Sequence, residues 1–213
     1  MKEIYASINK WKLENKPFAM ARVIKTWRSS PRPAGSTLLV SNTGEMIGSV
    51  SGGCVENAVV AKASEVLESG KPETVTYGVA DEDAWEVGLS CGGALSVHIA
   101  PFFNDADWDI IQTYKLQKKG LVVITELKEG GLNLFIDPTI ENKLSDDLNQ
   151  ALQDYYKRDL NGVIQADGIE YFCHVFAPKK QMLLIGSAHI TSEMISLAEK
   201  FDFETIVIDP RDT

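Results

Sequence analysis

Cysteine is scarce in this sequence: Cys54, Cys91 and Cys173 are the only three in 213 positions, at wide spacings. An odd, scattered set builds no disulfide framework and fits a reducing, cytoplasmic setting. No C-x-x-C or H-x-x-x-H pair occurs, so no metal held by protein side chains alone is expected. Long apolar runs are also missing. Nothing approaches the roughly 18 residues of a membrane span, and the first sixteen positions alternate charged and apolar residues, so no secretory signal is expected. Basic runs are absent as well. Lys and Arg number 21 against 30 Asp and Glu, a net charge of −9. Non-specific nucleic-acid binding needs phosphate-neutralising cations and is not expected. An anionic ligand would have to be held locally, by backbone N–H groups and a few arginines.

What is present suits a globular α/β protein. The chain is 44% hydrophobic and 24% charged, enough for a sizeable core. Apolar spacing predicts helices over residues 2–15, 54–67, 107–119, 144–160 and 191–201. Strands are predicted over 18–27, 37–41, 45–50, 73–79, 94–100, 121–127, 132–136, 162–165 and 169–177, with hairpin chemistry at Asn42-Thr43-Gly44 and at Asp167-Gly168. His98 and Cys173 fall mid-strand and are expected to be packing residues.

Two glycine–cysteine stretches stand out. GSVSGGCVE (48–56) sets Gly52-Gly53 against Cys54, and GLSCGG (88–93) sets Cys91 against Gly92-Gly93. A strand, a glycine turn and a helix start form a cradle whose N–H groups favour an anion. A thiol at a helix start also tends toward the thiolate. Upstream, Ser29-Ser30-Pro31-Arg32-Pro33-Ala34-Gly35-Ser36 holds one arginine between two prolines, placed to face a ligand. Trp85 sits in an acidic stretch over 80–87, as if folded over the protein or a flat ligand.

Past Lys179-Lys180 the pattern becomes strand, glycine turn, helix, strand, the opening of a Rossmann unit. Gly186 is in place, but Ala188 and Thr191 stand where the fingerprint wants further glycines. Asp209 lies near the ribose-binding spacing. The expected fold is therefore a mixed α+β domain over 1–178, followed by the first β-α-β of a Rossmann-type domain over 179–213. One β-α-β cannot bury both faces of a parallel pair, so a longer natural chain or a second chain is expected to complete it.

With these residues in view, the chain resembles the XdhC/CoxI family, accessory proteins of molybdenum hydroxylases such as xanthine dehydrogenase. The resemblance rests on SSPRPAGS (29–36), GEMIGSVSGGCVE (44–56), TYGVADEDAWEVGLSCGG (76–93) and, more weakly, LLIGSAHITSEMISLAEKFDFETIVIDPR (183–211). It implies a cofactor chaperone rather than a metabolic enzyme. Such a protein would bind the molybdenum cofactor, support its sulfuration by a cysteine desulfurase, and insert it into the apo-hydroxylase. It implies cofactor contacts at Cys54, Cys91, Gly52, Gly53, Gly92, Gly93, Arg32, Glu56 and Trp85, with Cys54 and Cys91 as candidate thiolates near the molybdenum. Gly186, His189 and Asp209 are the candidate dinucleotide-binding residues. A homodimer would suit a protein that passes a cofactor between large partners. Two other readings stay open. One is an NAD(P)-dependent oxidoreductase working through its Rossmann part. The other is a thiol redox sensor or interaction protein in which Cys54 and Cys91 pair reversibly.

Overall fold

The structure, a computed structural model, describes residues 2–78, 93–102, 104–128 and 133–211. The order is α1 (Lys2–Leu13), β1 (Phe18–Trp27), β2 (Thr37–Ser41), β3 (Met46–Gly48), α2 (Glu56–Ser69), β4 (Glu73–Tyr77), β5 (Ala94–Pro101) and α3 (Asp105–Leu116). Then come β6 (Leu121–Glu126), β7 (Asn133–Ile136), α4 (Asp146–Arg158), β8 (Gly162–Ala166), β9 (Ile169–Phe176), β10 (Gln181–Ile185), α5 (His189–Lys200) and β11 (Glu204–Ile208).

Two antiparallel sheets carry most of the chain. The first runs β3-β2-β1-β5-β4 and the second β7-β6-β9-β8. Alternation along β1 decides what each face meets. Ala19, Ala21 and Val23 point to α2 and pack with Val59, Ala63 and Val66. Phe18 and Met20 point the other way, into a layer made with Trp11 of α1, Trp108 of α3 and Leu121 and Val123 of β6. The far face of the second sheet, Val122 and Ile124, packs on Leu148 and Leu152 of α4. The helix ends follow local chemistry. Asn104 and Ser145 accept from the backbone N–H groups of Asp107 and Leu148, and Gly70 closes α2 in the left-handed conformation, its N–H reaching Val66.

Beyond residue 180, β10 and β11 pair in parallel, Gln181 opposite Glu204 through Ile185 opposite Ile208, with α5 between them in sequence. This is the β-α-β order that the residue pattern predicts. Ile185 is 80% exposed, and Leu183, Ile190, Phe201 and Ile208 are also exposed. Among the described residues, no helix is long and apolar enough to cross a membrane.

Gly48 is held by a close backbone approach as well as by its φ. Gly48 has φ +95°, and a Cβ there would stand 2.3 Å from the Thr37 carbonyl oxygen and 2.7 Å from Ile4 Cδ1. Gly44, in the β2–β3 turn, has φ +80° with nothing within 4 Å of a Cβ. Gly48→Ala is therefore expected to cost about 3 kcal/mol or more, and Gly44→Ala about 1 kcal/mol. Urea midpoints measured side by side check this; equal losses would show that strain, not contact, governs Gly48.

Candidate functional site

The GSVSGG turn does not end in a helix at Cys54, as its apolar spacing predicts. Gly52 and Gly53 take φ +81° and +120°, and α2 starts only at Glu56. The reason is the Glu56 side chain, which folds back over its own approach. Its Oε1 accepts from the N–H groups of Val50, Ser51 and Gly52 at 3.2, 2.9 and 3.1 Å, and from the Ser49 hydroxyl at 2.7 Å. Its Oε2 accepts from the Gly53 N–H at 2.8 Å and from the Ser51 hydroxyl. The cradle thus holds an anion, and the anion is Glu56. Desolvation pushes this carboxyl up, but the Ser51 and Ser49 hydroxyls and the Ser51 N–H outweigh it and bring it down to about 2. A carboxylate in the first turn also suits the helix dipole. Cys54 sits exposed on the pinned turn, and a Cβ built on Gly52 or Gly53 meets nothing within 4 Å.

The SSPRPAGS loop is tied to this turn and to both sheets. Gly35 donates its N–H to Val23 at 2.8 Å, and Val23 donates back to Ser36 at 2.9 Å. Asn161, just before β8, accepts from the Val175 N–H at 2.8 Å and donates to the Ala34 carbonyl at 3.5 Å. Gly35 lies so close that a Cβ would fall 2.5 Å from Asn161 Nδ2. At the loop's other end, a Cβ on Gly93 would stand 2.9 Å from the Ser29 carbonyl oxygen. Thr37, which follows the loop, accepts from the Ser49 N–H at 3.1 Å. The first two motifs and the end of the third therefore meet along one surface. Arg32 is exposed and lines a cleft of about 1650 Å³, whose wall also includes Gly48, Ser49, Asn161 and His174. Cys91, Gly92 and Trp85 lie outside the described residues.

The β-α-β residues are differently engaged. Gly186 has φ +99° and donates its N–H to Ile208 at 2.7 Å. His189 is exposed at the first turn of α5. The Asp209 carboxylate accepts five hydrogen bonds, from the N–H and hydroxyl of Ser187 and from the N–H, Nε and Nη2 of Arg211. The Arg211 guanidinium and then the Ser187 hydroxyl hold it far below the usual carboxylate range. A ribose hydroxyl would have to displace these donors.

A buried polar group between the two sheets is only partly legible in the sequence. Arg22 of β1, 1% exposed, donates through Nη2 to Thr125 Oγ1 at 3.2 Å and lies 5.2 Å from the Phe172 ring centre. Burial lowers its pKa to about 10. His98, opposite Arg22 in the β1–β5 register, exchanges a 3.0 Å hydrogen bond with Thr74 through Nδ1. His174 stacks on Phe176 with ring centres 4.3 Å apart. Burial, and then the Arg22 charge, lowers both rings to about 3. His98 and Cys173 are core residues as expected, and burial pushes the Cys173 thiol up to about 12. The legible signal for Arg22 is its place in the alternation, an arginine between Met20 and Ile24 on the apolar face.

Comparison with known proteins bears on residues 11–78, which match the XdhC and CoxI family. Over this segment the chain is similar to that family. It is 25% identical over 197 residues to a protein of Bacillus subtilis named as a probable xanthine dehydrogenase subunit, covering 90% of this chain and 59% of that one. It is 30% identical over 86 residues to the molybdenum cofactor insertion chaperone PaoD of Escherichia coli, covering 40% of this chain and 26% of PaoD. It is 35% identical over 97 residues to the uncharacterized Escherichia coli protein YqeB, covering 46% of this chain and 18% of YqeB. This chain thus spans less than two thirds of each of these relatives. A solved Bacillus halodurans structure described as a xanthine dehydrogenase shares the fold, with a TM-score of 0.70 at 24% identity over 97% of this chain and 62% of that one.

Proposed function

We propose that this chain is an XdhC/CoxI-type accessory protein of a molybdenum hydroxylase. It holds the molybdenum cofactor as cargo, supports its sulfuration by a cysteine desulfurase in the cytoplasm, and inserts it into a xanthine dehydrogenase-like apo-enzyme. Residues 1–178 form the cargo-binding domain in this reading, and 179–213 begin a Rossmann-like one. The observation that carries it is Cys54, an exposed thiol fixed on a carboxylate-pinned glycine turn inside the segment that matches the family. The names of the Bacillus subtilis relative and of PaoD support the class of client and cargo.

The residues fit the metal end of such a cargo. A thiolate is a soft ligand that suits a molybdenum–dithiolene centre, and Cys54 is exposed. Cys91, Gly92 and Trp85 complete the proposed contact set. Anaerobic titration with released molybdenum cofactor tests the reading, with bound pterin quantified by fluorescence after oxidation. Near-stoichiometric pterin on the wild type and at least tenfold weaker binding by Cys54→Ser is the expected result. A folded wild type that retains no pterin would sink it.

A further inference from the structure

The donors of the glycine turn are already taken: the N–H groups of residues 50–53 all point at Glu56. A second anion there would have to displace a buried, fully bonded carboxylate. The molybdenum cofactor carries a phosphate tail, so a chain of net charge −9 must receive that group somewhere else. We propose that the cleft beside the turn is a phosphate-binding site anchored by Arg32. The identity of the phosphate ester rests on the cofactor reading above; the anion site rests on the cleft itself.

Among the described cations of the cleft, Arg32 is the one guanidinium. Among the described residues, the cleft lysines Lys118, Lys179 and Lys180 are ion-paired with Glu204, Asp202 and Asp159, Lys115 lies 3.3 Å from the Tyr5 ring centre, and Lys119 also lines the cleft. Arg32 has no carboxylate within 4.0 Å among those residues. Its backbone is held in advance. Pro31 and Pro33 flank it, its carbonyl accepts from the Ser30 hydroxyl at 3.2 Å, and Asn161 fastens Ala34 two residues on. A pre-set backbone lowers the ordering cost of binding, and the guanidinium fork matches phosphate oxygens two at a time. The cleft of about 1650 Å³ exceeds the usual few hundred to 1,000 Å³ of small-molecule sites. Ser49 belongs both to the cleft wall and to the Glu56 hydrogen-bond set, so the phosphate site and the Cys54 turn share a border.

Calorimetric titration of this chain with inorganic pyrophosphate, and separately with anaerobic molybdenum cofactor, tests the site. Arg32 is exposed, so Arg32→Ala and Arg32→Lys leave the fold intact, which circular dichroism verifies. Pyrophosphate affinity should fall at least tenfold in Arg32→Ala and recover partly in Arg32→Lys, while Glu56→Gln gains nothing. Cofactor affinity should fall in parallel. Pyrophosphate binding that ignores Arg32 but strengthens tenfold in Glu56→Gln would put the anion at the glycine turn and overturn the inference. Cofactor bound equally by wild type and Arg32→Ala would overturn it too, leaving the cofactor reading in place. Pyrophosphate bound through Arg32 with no cofactor bound by any form would keep the anion site and remove the cofactor reading.

Discussion

Glu56→Ala is expected to destabilise the protein by about 4 kcal/mol, because it strands the buried N–H groups of Val50 and Ser51 at roughly 1–3 kcal/mol each and removes charge-assisted bonds besides. The substitution also deprives the Gly53 N–H of its carboxylate acceptor. The positive φ values of Gly52 and Gly53 then have little to hold them. Amide hydrogen exchange over residues 50–53 should accelerate about a hundredfold, an opening confined to this turn if α2 keeps its packing on the first sheet. Glu56→Gln keeps one acceptor oxygen and should lose about half as much stability. The same carboxylate makes a pH prediction. Its folded pKa, about 2, lies below the 4.5 of an ordinary glutamate. Its contribution is thus complete above pH 4.5 and disappears as pH falls toward 2, a change of about 3 kcal/mol. Unchanged urea midpoints and still-protected amides in Glu56→Ala would mean that the carboxylate does not organise the turn.

Glu56 also shows where sequence reasoning stops. The hairpin at Asn42-Thr43-Gly44, the left-handed cap at Gly70 and the parallel β-α-β after residue 180 are legible because each is written in neighbouring residues. The glycine turn looks like an anion cradle for the same reason, and it is one. What local pattern cannot supply is the occupant, since a glutamate three residues past Gly53 reads equally well as an ordinary first-turn acid. That closure delays the helix from Cys54 to Glu56. Asp209 repeats the case: its spacing suits a ribose, yet Ser187 and Arg211 occupy it. The Arg22 group lies further out of reach. Alternation puts Arg22 on the apolar face, but its meeting with His98 requires β5 to insert beside β1. Its meeting with Thr125 and Phe172 requires the two sheets to face each other.

That inter-sheet group makes the protein acid-sensitive well before its carboxylates do. His98 and His174 are 2% and 6% exposed, and among the described residues His98 Nε2 and His174 Nδ1 have no hydrogen-bond partner. Protonating either ring places a second charge beside buried Arg22, where the neighbours Thr74, Thr125, Phe172 and Phe176 offer no carboxylate to answer it. Burial, then the Arg22 charge, accordingly sets both rings near 3, against 6.5 for an ordinary histidine. Above pH 6.5 folded and unfolded chains both keep these rings neutral, and stability does not depend on them. Below 6.5 only the unfolded chain takes up the protons, so stability is lost until the folded rings titrate near pH 3. At pH 5 the loss is about 2 kcal/mol for each ring. The interval from 6.5 to 4.5 lies above the titration of Glu56 and isolates the histidines. Urea unfolding at pH 7.5, 6.0 and 5.0 should show the fall, and the paired change His98→Gln with His174→Gln should flatten it even though it lowers stability at pH 7.5. A wild-type profile flat between pH 7.5 and 5.0 would mean that water reaches both rings and that the sheets do not close over Arg22.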